Sequence, residues 1–220
     1  MDKSPEALLT EGLTRLGHPL PEQTQSALWV YATTLRKWNE KVNLTAITRP
    51  DEVVEKHLLD SLAVLAEVDA TGARTVLDLG AGAGLPGIPL ALARPSLHVT
   101  LVDTVGKKVA FMKTAAATVG LAGRVRALHA RAEGDPRTEQ LAQAELLISR
   151  AFMDVGPWLL LARHYLAPHA KIMAMLGQTP SEAELRELAS AVGLELVSRR
   201  VYALPFSGDP RGVAVFAARS

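Results

Sequence analysis

The sequence predicts an α/β protein: a helical N-terminal cap followed by a seven-stranded, mostly parallel sheet whose last strand runs antiparallel. Three observations predict it. Apolar residues recur at three- and four-residue steps in the first third of the chain. After Gly72, short apolar runs alternate with helical segments. The last two strand-like runs have no helix between them. Alternating strands and helices imply βαβ units and parallel pairing, whereas two consecutive strands imply a hairpin.

In PEQTQSALWVYATTLRKWNEKVN, the residues Leu28, Tyr31, Leu35, Trp38 and Val42 form one apolar stripe of a helix. The polar break NLTAITRP follows. DEVVEKHLLDSLAVLAEV then opens with Asp51 and Glu52, which suit a helix N-terminus, and repeats apolar positions at Val54, Leu58, Leu62 and Leu65. Residues 1–70 are expected as the helical cap and residues 71–220 as the sheet domain, the two forming one compact unit. In that domain the strands are TVLDL, LHVTLVD, RVRALHA, ELLISR and AKIMAML. The helical segments are PGIPLALA, KKVAFMKTAAATVG, VGPWLLLARHYL and SEAELRELASAVG. LELVSRRVYAL and GVAVFAARS, separated by PFSGDPR, form the terminal hairpin.

Composition narrows the function. The chain has no cysteine, which excludes disulfides, thiolate metal sites, iron–sulfur clusters and a cysteine nucleophile. No metal site is expected. No apolar run is long enough to span a membrane, and the N-terminus lacks the layout of a signal peptide, so a cytoplasmic protein is expected. A monomer is the expected state. With a net charge of +1, a nucleic-acid partner has to be argued from local clusters.

The stretch LDLGAGAGLPG, residues 77–87, carries the chemistry. Glycines between strand and helix let the backbone approach a ligand closely. Gly82, Gly84 and Gly87 match G-x-G-x-x-G, the dinucleotide fingerprint. Three details oppose that reading. The strand ends at Leu79, so Gly80 is the natural first glycine and the match starts late. Asp78, just below the turn, would repel a pyrophosphate but suits an ammonium group. The terminal hairpin is foreign to the dinucleotide fold. S-adenosylmethionine, with an ammonium and a sulfonium and no phosphate, is favoured. Asp103, at the tip of LHVTLVD, suits the two ribose hydroxyls of any adenosine cofactor, and it equally suits a helix cap. Ala132 and Glu133 follow the third strand where an adenine edge would lie; a solvated loop glutamate is the plain alternative.

The methyl acceptor is approached by elimination. Amino-group methyltransferases usually carry Asn/Asp-Pro-Pro-aromatic after the fourth strand, where this chain reads Ser149-Arg150-Ala151-Phe152. Methylation at pyrimidine C5 needs a cysteine nucleophile, which is missing. A ring nitrogen with a free lone pair, such as guanine N7, needs neither device, and the protein then contributes positioning and exclusion of water. Arg150 at a strand end is placed to orient substrate or cofactor, or else to make a structural salt bridge. His57 and Ser61 border the apolar stripe with Asp60 beside them, as a substrate-side group or a buried polar cluster. Lys107 and Lys108 bring positive charge towards phosphates. Arg36, Lys37 and Lys41 read better as a solvated helix face.

Taken together, KWNEKVNLTAIT, HLLDSLAVL, VLDLGAGAGLPGIPLALARP, VDTVGKKVAFM, RAE and ISRAF resemble the RsmG (GidB) family of ribosomal RNA small subunit methyltransferases, in the family's order from about residue 36 to residue 177. The resemblance implies a class I S-adenosylmethionine-dependent methyltransferase fold. It also implies methylation of N7 of a guanine, usually numbered 527, in the 530 loop of 16S rRNA, with the small ribosomal subunit as partner. It implies cofactor contacts at Gly80, Leu85, Asp103, Ala132, Glu133 and Arg150, to which the glycine turn adds Asp78, Gly82 and Gly84. Asn43, His57 and Ser61 become candidates beside Arg150 in catalysis, with Asp60, Lys107 and Lys108 as RNA contacts. One departure stands out: many family members have Leu-Lys-Gly after the fifth strand, and this chain has Met175-Leu176-Gly177. Two rivals remain at this point, an NAD(P)-dependent oxidoreductase and a non-catalytic rRNA-binding assembly factor on the same scaffold.

Overall fold

The computed structural model describes residues 3–150, 152–178 and 180–219. The cap begins with α1 (Pro5–Arg15), started by Ser4, whose Oγ accepts the Ala7 N–H, and by proline at the first helical position. Next comes α2 (Glu22–Val42), which buries Leu28, Tyr31, Ala32 and Leu35 along the predicted stripe and ends at Asn43 in the left-handed conformation.

The next cap helix, which the sequence predicts as continuous, is broken. It comprises α3 (Pro50–Val53), a π-helical stretch (Val54–Leu59), α4 (Asp60–Leu62) and, after a turn, α5 (Leu65–Thr71). A π turn inserts one residue into the helical ladder, and such insertions gather at functional sites. This one carries Lys56 and His57. Gly72, with φ 66°, closes α5.

The sheet strands are β1 (Thr75–Leu79), β2 (His98–Asp103), β3 (Val125–His129), β4 (Ala144–Arg150), β5 (Leu166–Leu176), β6 (Leu194–Ala203) and β7 (Pro210–Ala218). The helices α6 (Gly87–Ala93), α7 (Gly106–Thr118), α8 (Val155–Ala162) and α9 (Glu182–Ala191) connect them. The order is β3-β2-β1-β4-β5-β7-β6, and β7 is antiparallel to both its neighbours. The hairpin therefore inserts its second strand beside β5, giving the single antiparallel strand expected from the sequence.

Strand alternation divides the core. Val76, Leu146, Ile148, Met173 and Met175 pack with the cap helices, α6 and α7 on one face. Leu77, Leu79, Leu147, Ile172 and Ala174 pack with α8 and α9 on the other. Because side chains alternate with period two, Asp78 shares the cap-side face with Val76, and Arg150 shares it with Ile148. That parity aims Arg150 at the cap.

Candidate active site

The chain winds outward from β1 through β2 to β3, then returns to add β4 on the other flank of β1. A crevice opens beyond the carboxyl ends of the strands at such a reversal. Here it has two lobes. The first, about 490 Å³, is lined by the 44–47 loop, by Lys56, His57 and Asp60, and by the glycine turn, Arg150, Met175–Gly177 and Arg211. The second, about 450 Å³, is lined by Val102–Val105, Ala130–Ala132, Phe152 and Met153. Gly80 and Lys108 line both lobes and mark their junction.

Arg150 is the hub of the first lobe. Its Nη1 donates to the Lys56 carbonyl at 2.9 Å and to Asp60 Oδ2 at 3.1 Å, and its Nη2 lies 3.4 Å from His57 Nδ1. The other oxygen of Asp60 accepts the Tyr202 hydroxyl at 3.0 Å and lies 3.7 Å from Arg211 Nε. His57 is buried. Thr45 Oγ1, which accepts the Ile47 N–H, lies 2.9 Å from His57 Nε2, and His57 Nδ1 lies 3.1 Å from the Lys56 carbonyl. A neutral ring that accepts the threonine hydroxyl and donates to that carbonyl satisfies both contacts. Burial, reinforced by the Arg150 charge, lowers the His57 pKa from 6.5 to about 4, so the ring is neutral at physiological pH.

In the second lobe the Asp103 carboxylate accepts the Gly82 N–H at 2.9 Å and the Val105 N–H at 2.8 Å. It caps the following turn and also lines the lobe, so the two readings of this residue coexist. Each carboxylate oxygen keeps a lone pair for a ligand hydroxyl. From the cap, the buried Tyr31 hydroxyl donates to the Ala83 carbonyl at 2.6 Å, tying α2 to the glycine turn.

Asp78 lies under that turn, fully buried. Its Oδ2 accepts the Gly87 N–H at 3.0 Å, and its Oδ1 has no partner among the described residues. Desolvation holds its pKa well above the usual carboxylate range. Gly87 is required here: a Cβ would stand 2.4 Å from a Leu101 methyl and 2.9 Å from Asp78 Oδ2. An unpartnered buried carboxyl oxygen beneath the turn, with the Asp103 carboxylate on its rim, fits an adenosine cofactor with a cationic end. Asp78 acts from below, since it lines neither lobe.

The cleft gathers Gly80, Gly82, Leu85, His57, Asp60, Asp103, Lys108, Ala132 and Arg150. Several other expected site residues lie elsewhere. Ser61 is fully buried and its hydroxyl donates to the His57 carbonyl at 2.6 Å, so it props the helix. Asn43 is exposed and caps α2 in a left-handed conformation that asparagine tolerates. Lys107 is exposed on α7 and lines neither lobe. The Glu133 side chain is exposed, and its backbone N–H is taken by Glu139. Gly84 shapes the turn from beneath, against Ile88 and Leu101. Asp60 faces inward to the arginines rather than outward to RNA.

Sequence reasoning missed Tyr31, Thr45, Lys56, Phe152, Tyr202 and Arg211. Thr45 lies within the quoted NLT, and Phe152 occupies the aromatic place of the segment after β4. The others carry no local signal. Leu176 lines the cleft beside Arg211, and Lys56, Lys108, Arg150 and Arg211 keep it basic without a lysine at 176.

Comparison with known proteins agrees with this geometry. Solved structures with the same fold include a ribosomal protein L11 methylase from Lactobacillus delbrueckii subsp. bulgaricus, with TM-score 0.56 and 11% identity over 74% of this chain and 79% of that one. Another is an S-adenosylmethionine-dependent methyltransferase from Thiobacillus denitrificans in complex with S-adenosylhomocysteine, with TM-score 0.51 and 17% identity over 70% and 90%. Identities this low show the fold alone: that of the S-adenosylmethionine-dependent methyltransferases. Among sequences, the ribosomal RNA small subunit methyltransferase G of Myxococcus xanthus is 58% identical over 96% of both chains, and that of an Anaeromyxobacter species is 48% identical over the full length of both. The family model for rRNA small subunit methyltransferase G matches residues 24–207. A family match over residues 24–207, with relatives this similar over nearly their whole length, means that the chain belongs to the rRNA small subunit methyltransferase G (GidB) family.

Proposed function

We propose that this protein methylates N7 of a guanine in bacterial 16S rRNA, at the 530-loop position usually numbered 527, and that it works as a cytoplasmic monomer on the small ribosomal subunit. The observation that carries the reading is the two-lobed cleft, in which a lobe suited to an adenosine meets a basic lobe floored by Arg150 and His57 at Gly80. Among the described residues, no helix is long and apolar enough to cross a membrane.

The bound cofactor supplies an electrophilic methyl group on a positively charged sulfur, which guanine N7 attacks with its lone pair while no proton leaves. A general base is therefore unnecessary. Asp103 would hold the ribose hydroxyls, and Asp78 would offer its unpartnered carboxyl oxygen to the cofactor's cationic end from beneath the turn. Arg150, fixed by Asp60 and the Lys56 carbonyl, presents its remaining N–H groups to the acceptor base. His57, neutral and held by Thr45, gives the lobe a wall that does not repel a base acquiring positive charge. Lys56, Lys108 and Arg211 stand where RNA phosphates reach the rim. Positioning of this kind supplies most of the rate in a direct transfer.

Titration with S-adenosylmethionine and with NADH tests the reading. Saturable binding of the first with none of the second is expected; the reverse would assign the cleft to a dinucleotide enzyme.

A further inference from the structure

Phe152 is a large aromatic residue at 39% exposure, beside an equally exposed Met153. Its ring packs closely on Gly80: a Cβ built there would fall 2.1, 2.6 and 2.8 Å from three ring atoms. Any side chain at position 80 would displace the ring. The ring also meets Trp158, with centroids 6.3 Å apart and planes at 87°, and Trp158 is itself buried. Phe152 is thus held by its neighbours while part of its surface stays open to the second lobe.

The contact with Gly80 gives the ring its meaning. A methyl group passing from the Asp103 lobe to the Arg150 lobe must sit at their junction, which Gly80 forms. On the proposed cofactor reading, on which this inference rests, the junction is where the sulfonium lies. Of the cations around it, Lys108 also lines the junction, and Arg150 is drawn away to Asp60 and the Lys56 carbonyl. An aromatic face attracts a cation through its quadrupole and has no such attraction for the neutral thioether left after transfer.

We infer that Phe152 is a cofactor-contacting residue whose ring faces the sulfonium and favours the charged cofactor over its neutral product, so that it helps both capture and release. Leucine would fill the same apolar wall.

Calorimetric titration of wild type, Phe152→Leu and Phe152→Tyr with S-adenosylmethionine and with S-adenosylhomocysteine tests this, with no RNA present. Phe152→Leu is expected to weaken S-adenosylmethionine binding roughly fivefold, within the range of a cation–π contact, and to change S-adenosylhomocysteine binding less than twofold. Phe152→Tyr should keep the wild-type ratio. Because the ratio of two affinities is read from folded protein alone, it survives a drop in melting temperature, and Phe152→Met provides a second apolar variant. Equal weakening of both ligands would make Phe152 a plain apolar wall and overturn the inference, as would no change in either. If wild type binds neither ligand, it is the cofactor reading that fails.

Discussion

Arg150, the last residue of β4, donates to Asp60 Oδ2 at 3.1 Å across the acceptor lobe, joining the parallel sheet to the broken helix of the cap. The cap therefore completes the site. The same carboxylate accepts the Tyr202 hydroxyl and stands near Arg211, so one buried acid stands beside two arginines, one on β4 and one on β7.

Arg150→Ala is expected to lower turnover on the order of 10²-fold or more, since misplacing a reacting group costs that much, with little change in S-adenosylmethionine affinity. Arg150→Lys should rescue poorly, because an ammonium cannot reproduce the fork that spans the Lys56 carbonyl and Asp60. Steady-state kinetics on small subunits checks both, and near-normal turnover in Arg150→Ala would remove the residue from the site.

Asp78→Asn should separate stability from function. Burial raises the carboxyl's pKa, so the folded state is penalised as pH rises and the group ionises. Relative to wild type, the melting temperature of the variant is expected to improve steadily from pH 5 to pH 8, while S-adenosylmethionine affinity falls. Unchanged affinity would show that the buried carboxyl plays no part in binding.

His57 titrates in the opposite sense. Its folded pKa of about 4 lies below its ordinary 6.5, so the unfolded chain takes up a proton that the fold refuses. The stability it contributes is complete above about pH 6.5 and is lost as pH falls towards 4, by about 3 kcal/mol at most. Melting curves of His57→Gln should be flatter than wild type across that window. Turnover should show no His57 ionisation between pH 6.5 and 8.

Lys108 lines both lobes and reaches the rim, so it should contact phosphate. Lys108→Ala is expected to weaken RNA binding and to reduce the slope of log affinity against log salt by about one. Lys107→Ala, on the exposed side of α7, should do less. Equal effects would place both lysines on the RNA path.

Much of this architecture is legible in the residues, and the failures have local causes. TVLDL reads as a buried strand because it is short, apolar and followed by glycines, and that placed Asp78 under the turn. The run LELVSRRVYAL to GVAVFAARS reads as a hairpin because no helical period separates its halves. The π-helical stretch was invisible: a single inserted residue barely disturbs an apolar stripe over so short a segment. That insertion, together with tertiary burial, sets the fates of Asp60 and Ser61; on a regular helix Ser61 borders the stripe with His57, and Asp60 lies beside His57. Asp60 faces inward because Tyr202, 142 residues later, arrives to meet it. Arg211 entered the site in the same way, through the pairing of β7 with β5, which sets Gly212 opposite Leu176. Long-range partners of this kind leave no mark in local spacing.

The central claim is transfer of a methyl group to one guanine of the small subunit. The most direct measurement incubates the protein with methyl-labelled S-adenosylmethionine and small ribosomal subunits unmethylated at the 530-loop guanine, then maps the label. Label on N7 of that guanine, abolished by Arg150→Ala, is the expected result. Label on a different nucleotide, or none on RNA while S-adenosylmethionine still binds, would contradict it.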